Sequence, residues 1–344
     1  MNLRLTYLFF TLFFCLLSGM AQEQSGLPRA GEGIGSFLLR HNRPGRGYYK
    51  EFLELNKRVL KGKEELRLGV KYLLPPLRED RNQGNSQTKV TGASKQQKKM
   101  IHEPLFGKQL SKVEVTSNRL KGACFYVVSG HGGPDPGAIG KMGKVSLHED
   151  EYAYDVALRL ARNLMQEGAE VRIIIRDKKD GIRDSRYLKN SKRETCMGDK
   201  IPLNQVARLQ QRCTKINEAY RKDRKQYAYC RAIFLHVDSR NKRAQTDVFF
   251  YHAEQSTGGK RLALGMKRMF ESKYDRHQPN RGFTGTVSSA GLYVLRHTVP
   301  VSLFVELGNI QNAFDQRRFV MSSNRQALAK WMTEGFIADF QKSK

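Results

Sequence analysis

Acidic residues are scarce in this chain: 33 Asp and Glu stand against 61 Lys and Arg in 344 residues, a formal charge of +28. A field of that sign draws polyanions, nucleic acid among them. Yet no helix-turn-helix pattern and no aromatic RNP sequence is present, so charge alone carries the nucleic-acid reading, and no nucleic-acid partner is expected. Cysteine occurs five times, and no pair has the Cys-x-x-Cys spacing of a zinc knuckle. Only one long apolar run occurs, at the start, and no internal repeat is visible.

That run is informative. Arg4 supplies a positive flank, residues 5–17 are apolar, and Gly19-Met20-Ala21 offers a small-residue cleavage site, which together read as an export signal over 1–21 with a mature start at Gln22. A membrane anchor is the weaker alternative, because spanning a bilayer takes roughly 20 apolar residues; no transmembrane segment is expected once the signal is gone. Cys15 leaves with the signal. Cys124, Cys196, Cys213 and Cys230 remain, and one or two disulfides or buried unpaired thiols are both open outside the cytoplasm. An exported protein meets the carboxylates and phosphates of envelope polymers first, and a basic field suits those as well as nucleic acid.

Residues 31–76 carry two helix-like apolar patterns, around Ile34, Phe37 and Leu38 and around Phe52, Leu53 and Leu55, and then a strand-like Val-Lys-Tyr-Leu-Leu-Pro. Gly31-Glu32-Gly33-Ile34, Glu54-Leu55-Asn56 and the close over 69–75 make residues 28–77 resemble a LysM module, which implies a small α+β glycan binder. A small structural domain with no glycan role is the alternative. Residues 78–120 open on a polar, basic stretch nearly free of large apolar side chains, expected as a flexible linker that lets two modules engage one polymer.

From residue 121 to 344 apolar strand-like runs alternate with amphipathic helical ones. The order is Ala-Cys-Phe-Tyr-Val-Val-Ser, a helix rich in Ala and Leu, Glu-Val-Arg-Ile-Ile-Ile-Arg-Asp, a helix near 203–220, Cys-Arg-Ala-Ile-Phe-Leu-His-Val, Thr-Asp-Val-Phe-Phe-Tyr-His, a helix near 260–270, Ser-Leu-Phe-Val-Glu-Leu-Gly and a last helix over 325–340. Strands and helices of this length imply βαβ units and an α/β fold: one twisted, mostly parallel sheet flanked by helices.

Ligands of such sheets collect beyond the carboxyl ends of the strands. His131 follows one strand in a glycine-rich loop, His236 ends another and Glu306 a third, while Glu149 opens the helix after the loop, so that one turn of chain brings it back. Two imidazoles and a carboxylate suffice for a catalytic zinc with an open position. A carboxylate off the metal then moves protons, the place for Glu306. Taken singly, a His at a strand end is more often a structural hydrogen-bonding residue.

The motifs sharpen this. Gly130-His131-Gly132-Gly133-Pro134-Asp135-Pro136-Gly137-Ala138, Glu149 at a helix start, Arg176-Asp177, Leu209-x-x-Arg212-x-x-x-x-Asn217, His236 and Val305-Glu306-Leu307-Gly308 with Asn312 follow one another in order. By them residues 123–340 resemble the zinc-dependent N-acetylmuramoyl-L-alanine amidase family (Amidase_3), which hydrolyses the amide between N-acetylmuramic acid and the L-alanine of the peptidoglycan stem. The resemblance implies Zn2+ held by His131, Glu149 and His236, with Glu306 as catalytic acid/base. Glu151, in the same helical turn, is the rival to Glu149. It also implies substrate contacts from Arg296 and Asn312, a peptidoglycan substrate met in the periplasm or cell envelope, and an activator protein.

Two departures stand out: the family's Asp-Pro before Gly-His is Val128-Ser129 here, so support from that Asp must come from elsewhere, and Asp238 replaces an Asn. The chain also inserts a basic segment over 178–202, long enough to be a lid. Some relatives plug the metal with such a segment, and Glu194 is the candidate plug. A second reading keeps the fold and drops catalysis, leaving a peptidoglycan-binding adaptor.

Overall fold

The computed structural model describes residues 24–28, 32–43, 46–62, 64–77, 99–238, 247–278 and 281–344. The expected export signal and the polar part of the expected linker lie outside these residues.

Near the N-terminus, β1 (Ser25–Gly26) pairs antiparallel with β2 (Tyr72–Leu73), and α1 (Ile34–Arg40), α2 (Arg46–Leu55) and α3 (Lys57–Leu60) lie between them in sequence. Ile34, Phe37, Leu38, Phe52, Leu60, Tyr72 and Leu74 form the core of this unit. Asn56 staples it: its side chain bonds the main chain of both Phe52 and Leu73, donating to each carbonyl at 2.9 Å. A short hairpin follows, β3 (Met100–His102) with β4 (Lys112–Glu114).

The remaining strands and helices are β5 (Ala123–Ser129), β6 (Ile139–Met142), β7 (Val145–His148), α4 (Glu149–Gln166), β8 (Glu170–Ile173), β9 (Ile175–Arg176), β10 (Thr195–Cys196), β11 (Asp199–Lys200) and α5 (Gln205–Asp223). After them come β12 (Tyr229–Asp238), β13 (Phe249–His252), α6 (Thr257–His277), β14 (Val287–Ser289), α7 (Tyr293–His297), β15 (Val301–Asn309), α8 (Gln316–Val320) and α9 (Ser322–Lys342). Six of the strands form one sheet in the order β14-β13-β15-β12-β5-β8. All its pairings are parallel except β13 with β15. The expected mostly parallel sheet is therefore present.

Every residue of β5 is buried, as a central parallel strand covered on both faces requires. Alternate side chains feed two cores: Phe125, Val127, Ile233, Leu235, Leu303 and Val305 face α4, α6 and α9, while Cys124, Tyr126, Val128, Ala232, Phe234 and Phe304 face α5 and α7. The four cysteines of the domain are buried free thiols, with Cys124 opposite Cys230 in register. The 178–202 insertion holds β10 and β11, which extend β9 into a small antiparallel sheet. Its Arg183 donates to the Glu151 carboxylate at 2.7 Å, and the Arg183 main-chain N–H to Asp155 at 2.7 Å.

Candidate metal centre

β5, β12 and β15 end side by side, and their last residues gather the polar groups the sequence singled out. Gly130 donates to the Leu235 carbonyl at 2.7 Å, which presses the loop against β12. A Cβ on Gly130 would stand 2.4 Å from the His236 ring, so only glycine fits there. His131 turns into the left-handed region, φ 57°, a conformation that costs about 1 kcal/mol or more outside glycine and needs outside support. α5 provides it, with Arg212 donating to the His131 carbonyl.

Glu149 returns to the loop through the β6–β7 hairpin rather than through a single turn of chain. Its Oε1 lies 3.0 Å from His236 Nδ1, 3.2 Å from His131 Nε2 and 2.9 Å from the Val237 N–H. Its Oε2 accepts from the Ala138 N–H at 2.8 Å. Donor atoms of His131, Glu149 and His236 all lie within 4.8 Å of one another, the one group among the described residues with metal-binding composition and spacing. Glu151 is elsewhere, held by Arg183 and by the main-chain N–H of Ser191.

The electrostatics follow from the contacts. Burial acts to lower the His131 pKa, but hydrogen bonds to Asp135 and Glu149 outweigh it and carry it to about 10. Glu149 is 5% exposed, and although burial opposes its charge, both histidines hold its carboxyl well below the usual range. Burial pushes His236 down; its ring stacks on Phe304, centroids 4.4 Å apart.

Glu306 lies beside His236 in register across β12 and β15. Two residues from Phe304, it shares the sheet face on which His236 stacks. Asp238 follows a register shift and pairs with Asn309. Glu194, expected over the metal, accepts the Gly133 N–H at 2.8 Å and so sits on the glycine loop beside the cluster, outside the donor set. Arg296 is exposed on α7. Asn312 Oδ1 accepts the N–H groups of Phe314 and Asp315 at 2.9 and 3.2 Å, holding the turn before α8. Asn217 ties α5 to the end of α7 through His297 and Val299, each at 2.8 Å.

Sequence reasoning missed Asp135 as a site residue. It accepts His131 Nδ1–H at 2.8 Å and the Arg208 guanidinium at 2.6 Å, which supplies the carboxylate support that Val128-Ser129 lacks. Its place four residues after His131 in a tight glycine loop was the available signal. Of Arg208 and Arg212, one turn apart on α5, Arg212 stood in the Leu209-x-x-Arg212-x-x-x-x-Asn217 motif without a role and Arg208 was not singled out.

A cavity of about 90 Å³ opens beside the cluster, lined by Ser129, His131, Arg208, Arg212, Phe234 and His236 among others. A larger one, about 370 Å³, lies between the far end of α4 and α9, lined by Arg119, Glu167, Lys330 and Glu334 among others, away from this chemistry.

The sequence profile of the N-acetylmuramoyl-L-alanine amidase family, Amidase_3, matches residues 126–338. No curated protein sequence matches the chain. Among solved structures, the N-acetylmuramoyl-L-alanine amidase from Clostridium difficile 630 is similar at 17% identity over 65% of this chain and 100% of that one, with a TM-score of 0.47. AmiC2 of Nostoc punctiforme is similar at 19% identity over 65% of this chain and 99% of that one, TM-score 0.44. The CwlD amidase from Clostridioides difficile, solved in complex with the GerS lipoprotein, is similar at 16% identity over 64% of this chain and 98% of that one, TM-score 0.47. The profile match spans more than half of the chain and covers both histidines, Glu149 and Glu306: the chain belongs to the N-acetylmuramoyl-L-alanine amidase family, enzymes of peptidoglycan, and carries a His–Glu–His candidate metal site.

Proposed function

We propose that the protein is a zinc enzyme that hydrolyses the amide between N-acetylmuramic acid and L-alanine in peptidoglycan, for cell-wall remodelling or daughter-cell separation. The observation that carries this reading is the convergence of His131, Glu149 and His236 with Glu306 in register beside His236. His131, Glu149 and His236 would hold the ion: two imidazole nitrogens and one carboxylate suit zinc better than calcium or magnesium, which prefer all-oxygen sites. Bound there, zinc supplies Lewis-acid chemistry and lowers the pKa of water.

The chain's own residues do the rest. Asp135, accepting from Nδ1, fixes the His131 tautomer and aims Nε2 at the cluster. Arg212 holds the strained His131 backbone. Glu306 takes a proton from the attacking water and returns it to the amine nitrogen as the C–N bond breaks, so that water is added across the amide. Arg296 and Asn312 belong to this reading as substrate contacts, Arg296 exposed on α7 and Asn312 in the β15–α8 turn that its Oδ1 also holds.

Export by residues 1–21 and action in the periplasm or envelope fit this substrate. Residues 28–77 would act as a LysM-like glycan anchor on the tether expected over 78–120, within which 100–114 form the β3–β4 hairpin, and an activating partner protein belongs to the same reading. The 178–202 segment, with Glu194 on the glycine loop, is where such a partner would act. No helix among the described residues is long and apolar enough to cross a membrane.

The test is direct. Purified protein should release peptide from glycan strands and stop when a chelator is added. Glu306→Gln should keep its zinc by elemental analysis while losing about 100- to 10,000-fold in turnover; retained turnover sinks the assignment.

A further inference from the structure

Arg212 is where the fold buries a charge without answering it. Its side chain is 4% exposed. Its partners are two main-chain carbonyls, those of His131 and Arg208, and its Nε has no hydrogen-bond partner among the described residues. Among the described residues no carboxylate pairs with it. A guanidinium kept dry on neutral oxygens alone is costly, and an anion brought to it is strongly favoured.

The surroundings add to the surplus. Arg208, one turn earlier and 9% exposed, donates to Asp135, but Asp135 also answers His131. Around this corner Asp135 is divided between the Arg208 guanidinium and the His131 ring, while Glu149 is spent on the two histidines and on main-chain N–H groups. Both arginines line the cavity of about 90 Å³ that opens beside His131 and His236. Val128, Phe234 and Val294 also line it, so little water is left there to screen a charge.

We propose that this cavity is a carboxylate-binding subsite, in which Arg212, backed by Arg208, takes a free carboxylate on the peptide side of the scissile amide. This rests on the amidase reading and extends it to substrate choice. Charge decides which side of the substrate enters: the muramyl side presents hydroxyls and an acetamide, whereas the peptide side carries carboxylates. Because the cavity adjoins the metal cluster, the carboxylate must sit within a residue or two of the bond cut. In a peptidoglycan stem the residue after L-alanine is a glutamate whose chain continues through its side chain. Its main-chain carboxylate is therefore either free or capped as an amide. The subsite tells these apart, since a neutral amide brings no charge to Arg212 and points N–H groups at a donor.

Two muramyl dipeptides that differ only in this group, N-acetylmuramoyl-L-alanyl-D-glutamate and its main-chain amide, test the proposal. Calorimetry with the metal-free full chain should give about 10- to 100-fold tighter binding of the acid, as expected for a charged hydrogen bond. Arg208→Gln, which spares the His131 carbonyl, should narrow that ratio several-fold, and Arg212→Met should abolish it, with circular dichroism confirming that each variant folds. Equal affinities for acid and amide in the wild-type chain overturn the subsite, as does a ratio untouched in a folded Arg212→Met. Hydrolysis of both dipeptides by the zinc-loaded protein is scored separately. Discrimination in binding without any hydrolysis would keep the subsite and remove the amidase reading; hydrolysis with equal affinities would do the reverse.

Discussion

At the scale of single residues, the candidate centre shows how few side chains set its chemistry. His131 is the one under most constraint: left-handed backbone, Nδ1 on Asp135, Nε2 facing Glu149. Removing the support should be felt at the metal. Asp135→Asn is expected to weaken zinc binding about 10- to 100-fold, the usual cost of losing such a partner, read by competition with a chromogenic chelator; an unchanged constant would show that Arg212 alone positions the ring. The raised His131 pKa has a sign that can be checked. The metal-free ring is protonated at neutral pH and must give up that proton to bind zinc. Affinity should therefore rise with pH between about 6 and 9, and calorimetry in buffers of different ionisation heat should count the proton released. Of these residues, His131, Glu149, His236 and Glu306 were legible in the sequence by motif and strand-end position. Asp135 stood inside a quoted motif without a role, because nothing in a linear pattern shows that a loop closes a carboxylate onto its own histidine.

Among the elements, α4 carries the greatest burden. Its first turn holds Glu149, Asp150 and Glu151, all buried, and the helix dipole favours acids there. Asp155, one turn on, is fully buried between Arg159 at 2.7 Å and Arg325 of α9 at 2.6 Å. Burial opposes its ionisation, yet the charges of Arg159, Arg325 and Arg183 win and hold its pKa at about 2 instead of 3.8. A depressed folded-state value means stability that is full above pH 4 and fades as the pH falls toward 2. Arg325→Met leaves Asp155 under-compensated and should cost about 3 kcal/mol or more, measured by urea unfolding at neutral pH, with much of the acid sensitivity between pH 4 and 2 gone. The insertion belongs to the same network through Arg183. Deleting residues 180–198, which would raise activity were the segment only a plug, removes Arg183 and Ser191 from Glu151 and the Arg183 N–H from Asp155; a lower melting temperature together with lower activity is expected. The periodicity that located α4 could not reveal this network, because it joins residues far apart in the chain.

For the whole molecule, charge and modularity decide how the enzyme meets a polymer. With +28 formal charges, retention on insoluble peptidoglycan should fall as salt is raised past the point where the Debye length drops below about 10 Å. Removing residues 22–77 should cut retention further while leaving hydrolysis of short muramyl peptides unchanged; equal loss on both substrates would mean that the N-terminal unit supports the catalytic domain instead of anchoring it. The sequence by itself determined the class of fold, since strand and helix periods differ, and the identity of the candidate metal donors, since each ends or opens an element. Only the tertiary structure decided which acids answer which bases. It chose Glu149 over Glu151 for the histidines, gave Asp135 to His131, placed Glu194 on the glycine loop and left Arg212 dry beside the cavity. Periodicity is a property of neighbours in the chain, whereas the pairing of buried charges depends on which distant segments the packed sheet brings within a few ångströms.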